Sequence, residues 1–205
     1  MDLSEQDLIR SLAAAHNRLS ARPSDIERFP PELLPGEPRP AAVLIPMLRL
    51  DGSWHILFTR RTDSLAEHSG QVAFPGGRAD PEDRSPEETA LREAYEEIGL
   101  APDVVHLLGR LQSFITITNY LVTPVVGSIP WPQPLRLALD EVSRVFTIPL
   151  DWLADPSNHE VRERDLPPPY PPVPVIYFNT YDNEMLWGVS ARIVLDFLSA
   201  LRGEG

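Results

Sequence analysis

The sequence contains no cysteine and no lysine; all 18 of its cationic side chains are arginine. Without thiols, disulfides and thiolate chemistry are both excluded. Without lysine, any contact to a phosphate is made by a planar guanidinium fork able to bind two oxygens at once. Long apolar runs are missing as well. None approaches the ~20 residues needed to span a bilayer, and residues 1–10 are acidic and polar rather than basic and then apolar, which is not the pattern of a secretory signal. The carboxyl end, Leu201 to Gly205, carries no prenylation or peroxisomal signal. A soluble cytoplasmic chain with no membrane partner is expected. Positive charge is also scarce: 30 acidic residues against 18 basic ones leave a net charge of −12. That balance excludes nonspecific gripping of nucleic acid, which needs a basic surface, and leaves polyphosphate recognition to a local cationic site.

What is present is enough for one core: 205 residues, 42% of them hydrophobic. Leu8, Leu12, Ala15 and Leu19 share a face of a helix expected from Ser4 to Ser20, with Ser4 and Asp7 at its start. Residues 29–40, FPPELLPGEPRP, are expected to be a stiff irregular connector, because proline removes donors and fixes backbone angles. A division into residues 1–40, a helix plus connector, and a folded body at 41–205 follows. Within the body, Ala41 to Leu50 and Trp54 to Thr59 read as a hairpin around Asp51-Gly52-Ser53. Further strands are expected at Val72 to Phe74, Val104 to Phe114, Tyr120 to Val126, Glu141 to Ile148, His159 to Arg164 and Val175 to Phe178, with a proline-rich loop at 167–174. A helix from Val189 to Leu201, with Ile193, Phe197 and Leu201 on one face, closes the chain.

The best-specified element is a helix from Pro86 to Ile98. Ser85 caps it, Pro86 suits its first position, Glu88 closes a capping box and Gly99 ends it. At about 100° per residue, Leu91, Ala94, Tyr95 and Ile98 gather on one side while Glu93, Glu96 and Glu97 gather on the other. Carboxylates three and four residues apart repel each other unless a cation sits among them, and such hard oxygen ligands suit magnesium or manganese. Just upstream, Phe74-Pro75-Gly76-Gly77 permits a turn that brings backbone close to a bound ion or phosphate.

Residues 76 to 100, GGRADPEDRSPEETALREAYEEIGL, resemble the Nudix box, whose core is Arg-Glu, an aliphatic residue, any residue, Glu-Glu, any residue, Gly. Arg92, Glu93, Ala94, Glu96, Glu97 and Gly99 match it at every defined position. The early acidic position differs: Asp83 stands where the box has Glu, the interval to Arg92 is one residue longer, and Glu82 or Asp83 is expected to serve there. The resemblance implies an α/β (α+β) fold, a mixed β-sheet sandwiched between α-helices, here with an N-terminal helical extension. It also implies Mg2+ or Mn2+ held by Glu93, Glu96 and Glu97 with the backbone of Gly76, a metal-activated water as nucleophile, and Arg92 orienting the carboxylates. Glu141, from a late segment, is the candidate to complete the metal site or act as base.

Residues 57 to 77, LFTRRTDSLAEHSGQVAFPGG, are similar to the extended motif of the coenzyme A pyrophosphatase branch. Thr59, Arg61, Leu65, His68, Gly70, Phe74, Pro75, Gly76 and Gly77 match in order and spacing, whereas Thr62 replaces Ser or Ala and Ala66 replaces Arg. Residues 140–153 and 186–198 look like late segments of the same branch. The expected substrate is coenzyme A, contacted by Arg60 or Arg61 and by Gly76 and Gly77. Alternatives are ADP-ribose or another nucleoside diphosphate derivative, and a catalytically silent ligand sensor. His68 is expected to be structural, a homodimer is possible by analogy with the fold, and Tyr177, Tyr181 and Trp187 are candidates to stack an adenine or to pack in the core.

Overall fold

The computed structural model describes residues 3–19, 36–63, 70–165 and 172–203. Helix α1 (Glu5–Leu19) starts as its sequence directs: Ser4 Oγ accepts the Asp7 amide at 3.2 Å and Asp7 Oδ2 accepts the Ser4 amide at 2.9 Å. Leu8, Leu12 and Ala15 are buried. Strands β1 (Arg39–Leu50) and β2 (Ser53–Arg61) form an antiparallel hairpin. Its turn residues Asp51 and Gly52 have φ of 49° and 81°, the left-handed pair that matches strand twist. Pro40 therefore lies inside a strand and not in the irregular connector expected up to residue 40. A proline is tolerated there because its carbonyl still accepts, here from the Ala79 amide at 3.0 Å.

The short strands β3 (Val72–Ala73) and β4 (Gly76–Arg78) flank this hairpin, and helix α2 (Pro86–Ile98) follows. The expected strand Val104 to Phe114 is broken into β5 (His106–Arg110) and β6 (Phe114–Ile115), both paired to β7 (Tyr120–Ser128), with a register shift between Leu107 and Gly109. Strand β8 (Val142–Pro149) pairs with β2 and runs straight into helix α3 (Leu150–Ala154). Strands β9 (His159–Arg164) and β10 (Val173–Phe178) form a separate ribbon before helix α4 (Gly188–Arg202). Val173 and Pro174, expected in a loop, belong to β10; Pro172 precedes the strand, and residues 167–171 lie outside the described residues.

The main sheet runs β3-β2-β1-β7-β5, with β4 on β1, β6 on β7 and β8 on β2. It is mixed, since β1 and β7 are parallel and the other pairs antiparallel. Alternation along β1 buries Ala42, Leu44 and Leu48 against Ala90, Ala94 and Ile98 of α2. Ile45 and Met47 point the other way, into a larger cluster with Leu8 and Leu12 of α1, Leu153 of α3 and Phe197 of α4. The sheet is thus sandwiched, with α2 on one face and the other three helices opposite.

Candidate active site

The end of β2 decides which arginine meets the carboxylate helix. Trp54, Ile56 and Phe58 face the large cluster and Leu57 faces α2, so neighbouring Arg60 and Arg61 diverge. Arg60 binds Asp63 at 2.8 Å, Ser143 at 3.1 Å and Glu184 at 3.4 Å. The charge of Arg61 is felt by Glu97, and its buried Nε has no hydrogen-bond partner among the described residues. The structure brings Arg61 to the candidate site and commits Arg60 to ion pairs on the other face.

Helix α2 begins and ends largely as its residues dictate. Ser85 Oγ accepts the Glu88 amide at 3.2 Å, and Gly99 turns left-handed at φ 68° to return hydrogen bonds to the last turn. The reciprocal half of the expected capping box is displaced by one residue: Glu88 accepts from the Arg84 amide and side chain, not from Ser85. The buried side also differs from the expected one. Tyr95 is exposed, whereas Thr89, Ala90, Ala94, Glu97 and Ile98 are buried. Alanines at 90 and 94 let the helix approach the sheet closely, and that approach carries Glu97 inside with them.

At the sheet side of α2, Gly76 and Gly77 pair with Val43 and Ala42 of β1. The Gly76 amide faces Glu97 Oε2 at 3.4 Å. A Cβ on Gly77 would lie 2.6 Å from the Glu93 carboxylate, so only glycine leaves that carboxylate its place. Glu97 is 5% exposed. Burial first, and then the charge of Glu93, pushes its carboxyl up to about 8, with Glu141 adding in the same direction; the Gly76 amide and Arg61 pull it down. Burial also raises the Glu93 carboxyl, opposed by Arg92 and reinforced by Glu96 and Glu141.

Arg92 is the hub of the anionic face. It binds Glu93 at 3.0 Å, Glu96 at 3.1 Å, the Arg78 carbonyl at 2.9 Å and Asp83 at 2.9 Å. Asp83 also accepts from Thr89 Oγ1 and the Asp80 amide, both at 2.9 Å, and the Arg92 hydrogen bond leads the causes that lower its carboxyl to about 2. Of the two candidates for the early acidic position, Asp83 therefore takes the anchoring role and Glu82 is exposed to solvent. Thr89, missed in the sequence, is marked there only by lying six residues after Asp83.

Glu141 reaches this site through backbone contacts that no motif announces. The Arg136 and Ala138 amides bond the Ile98 and Glu97 carbonyls at 2.8 and 2.9 Å, and the Thr62 amide bonds the Glu141 carbonyl at 2.9 Å. Glu141 thus sits, exposed, between the end of α2 and the end of β2, within electrostatic reach of Glu93 and Glu97. Among the described residues no three acidic or imidazole side chains already form a ready cation cluster, because Glu93 and Glu96 are turned to Arg92. The buried, crowded carboxyl of Glu97 nevertheless fits a divalent cation, which offsets the burial and the repulsion that raise it. Tyr177 and Trp187 stack on each other with centroids 5.6 Å apart, and Tyr181 packs on Trp152 at 5.0 Å, so these rings pair among themselves. Leu65, Ala66 and His68 lie outside the described residues.

Comparison with known proteins bears on the family and the fold. The profile described as NUDIX domain matches residues 38–167. Proteins of Yersinia pestis and Yersinia pseudotuberculosis, each named as an uncharacterized Nudix hydrolase NudL, are 40% identical over 165 residues, covering 76% of this chain and 76% of theirs. Among solved structures, the Nudix hydrolase RenU from M. smegmatis superposes with a TM-score of 0.50 at 22% identity, covering 58% of this chain and 76% of its own. A MutT/nudix family protein from Enterococcus faecalis gives 0.51 at 16% identity, covering 94% and 70%. With the box helix in its sheet-packed setting and these matches, the chain belongs to the Nudix hydrolase family.

Proposed function

We propose that this protein hydrolyses the pyrophosphate of coenzyme A or its acyl and oxidised forms, giving 3′,5′-ADP and the corresponding 4′-phosphopantetheine. The observation that carries the hydrolase reading is the buried Glu97 beside Glu93, set against the Gly76-Gly77 backbone with Arg61 nearby. Carboxylates so placed are held apart from solvent at a cost that a bound cation removes. Glu93 and Glu97, with the exposed Glu96, would hold Mg2+ or Mn2+ through carboxylate oxygens that Arg92 does not bind. When bound, the ion lowers the pKa of a ligated water and neutralises charge on the phosphoryl oxygens.

The chain's own residues supply the rest. Arg61 offers its guanidinium to a phosphate on the α2 face. Arg92, held by Asp83 and the Arg78 carbonyl, fixes the α2 carboxylates in register. Glu141, exposed and electrostatically coupled to Glu93 and Glu97, is the group placed to take the proton of the attacking water. The coenzyme A reading is supported by the residues 57–77 motif, which includes Arg61 and both glycines.

A substrate panel with Mg2+ or Mn2+ tests the proposal. Release of 3′,5′-ADP from coenzyme A is expected. Activity confined to ADP-ribose would replace the substrate, and binding of coenzyme A without any hydrolysis would make the protein a sensor.

A further inference from the structure

Strand β8 begins at the candidate site and leads away from it. Glu141 precedes its first residue, and Val142 pairs with Arg61, whereas Pro149 pairs with His55 near the β1-β2 turn. One edge of β8 is bonded to β2; among the described residues no strand pairs with the other. A cavity of about 550 Å³ borders strand residues 144–147, with Leu50, Trp131 and Tyr181. Arg144 and Phe146 project to one face of the sheet, Val145 and Thr147 to the other. A cavity bordered by all four lies along the open edge, where peptide groups face outward. Its volume is in the range of small-molecule sites, and none of the α2 carboxylates lines it.

We propose that this edge and cavity receive the amide-bearing arm of the substrate while its pyrophosphate lies at Glu93, Glu97 and Arg61. The inference rests on the coenzyme A reading above. Three observations favour that occupant over a peptide or a second copy of the chain. First, the open edge is continuous with the site through Glu141. Second, the spacing fits: strand residues 144–147 lie about 10–20 Å beyond Glu141 at the rise of an extended strand, and a pantetheine arm extends about 15 Å, roughly the length of an extended tetrapeptide or pentapeptide. Third, the chemistry fits. The arm carries two secondary amides along an extended chain, which pair with a free strand edge as an added strand does, and its distal end meets Leu50 and Trp131, which are apolar.

The test compares two substrates on the whole protein with Mg2+: coenzyme A, and the methyl ester of 3′-phosphoadenosine 5′-diphosphate, which keeps the pyrophosphate and lacks the arm. Wild type is expected to favour coenzyme A at least tenfold in kcat/KM, and Val145→Arg and Trp131→Ala to reduce that ratio about tenfold, mainly through KM. Equal kcat/KM for the two substrates in the wild type, or variants that leave the ratio intact, would overturn the arm site while leaving the hydrolase reading in place. Hydrolysis of neither substrate would remove both. Because a variant can fail to fold, amide hydrogen exchange of the wild type supplies a second readout: 4′-phosphopantetheine should slow exchange within residues 144–147, and no slowing at saturating ligand contradicts the proposal.

Discussion

Replacing Gly77 or Gly76 by alanine is expected to produce opposite failures, although the two residues are adjacent. At Gly77 the new methyl would lie 2.6 Å from the Glu93 carboxylate, which is the mobile end of a side chain. Restoring ordinary contact moves that carboxylate by about 0.8 Å, and misplacement on the order of 1 Å costs about 100-fold in rate. Gly77 has no left-handed φ, so the backbone accepts alanine and the loss of unfolded-state freedom stabilises by up to about 1 kcal/mol. The variant should fold with a Tm within about 4 °C of wild type and lose about 100-fold in kcat. At Gly76 the methyl would meet the Ala42 carbonyl oxygen at 2.5 Å and Val43 Cα at 2.6 Å, which are backbone. Overpacking of that kind costs about 1–3 kcal/mol, so Gly76→Ala should melt several degrees lower. Thermal melts and steady-state rates of hydrolysis on coenzyme A read both effects. A Gly77→Ala protein that keeps activity within threefold, or that unfolds while Gly76→Ala does not, would refute the reasoning.

Three further outcomes follow from the charged groups. Glu97 titrates near 8 in the folded chain against 4.5 in the unfolded one, so the metal-free protein binds the extra proton and loses stability as pH rises across that window; melts in EDTA should show Tm falling from pH 5 to 8.5 for wild type but little trend for Glu97→Gln, and Mg2+ should restore the wild type at the alkaline end. Asp83 behaves in the opposite sense: with its carboxyl near 2 when folded and 3.8 when unfolded, it contributes up to about 2 kcal/mol above pH 4 that is lost as pH falls toward 2, and Asp83→Asn should remove that slope in acid melts. Arg61→Gln should raise KM for coenzyme A at least tenfold, while Arg60→Gln, which breaks ion pairs with Asp63 and Glu184, should act on stability and leave KM within about threefold; the reverse pattern in steady-state kinetics would reassign the phosphate contact.

The sequence showed most clearly what local chemistry determines. The bounds of α2, its Ser85 cap and its Gly99 stop were legible because each rests on a residue and its near neighbours, and so was the Asp51-Gly52 turn. Which side of α2 is buried was not. Periodicity favours Tyr95 as apolar, but the close approach to β1 through Ala90 and Ala94 turns Glu97 inward and Tyr95 outward. Arg60 and Arg61 were equivalent candidates until strand alternation sent them to opposite faces, a consequence of pairing that their own identities do not encode. The placement of Glu141 depends on hydrogen bonds from residues 136 and 138 to the end of α2, contacts some forty residues apart in sequence. Arg110 pairs with Val125 and Phe114 with Val122, so four steps along this segment run against three of β7 and the ladder breaks between β5 and β6, which an apolar run from Val104 to Phe114 conceals.

The most direct test of the central claim is hydrolysis of coenzyme A in oxygen-18 water with Mg2+, followed by mass spectrometry of both products. The account predicts 3′,5′-ADP and 4′-phosphopantetheine in equal amounts, with a single heavy oxygen in one of them, and loss of the reaction in Glu97→Gln. Intact coenzyme A after prolonged incubation, or cleavage that persists in Glu97→Gln, would contradict it.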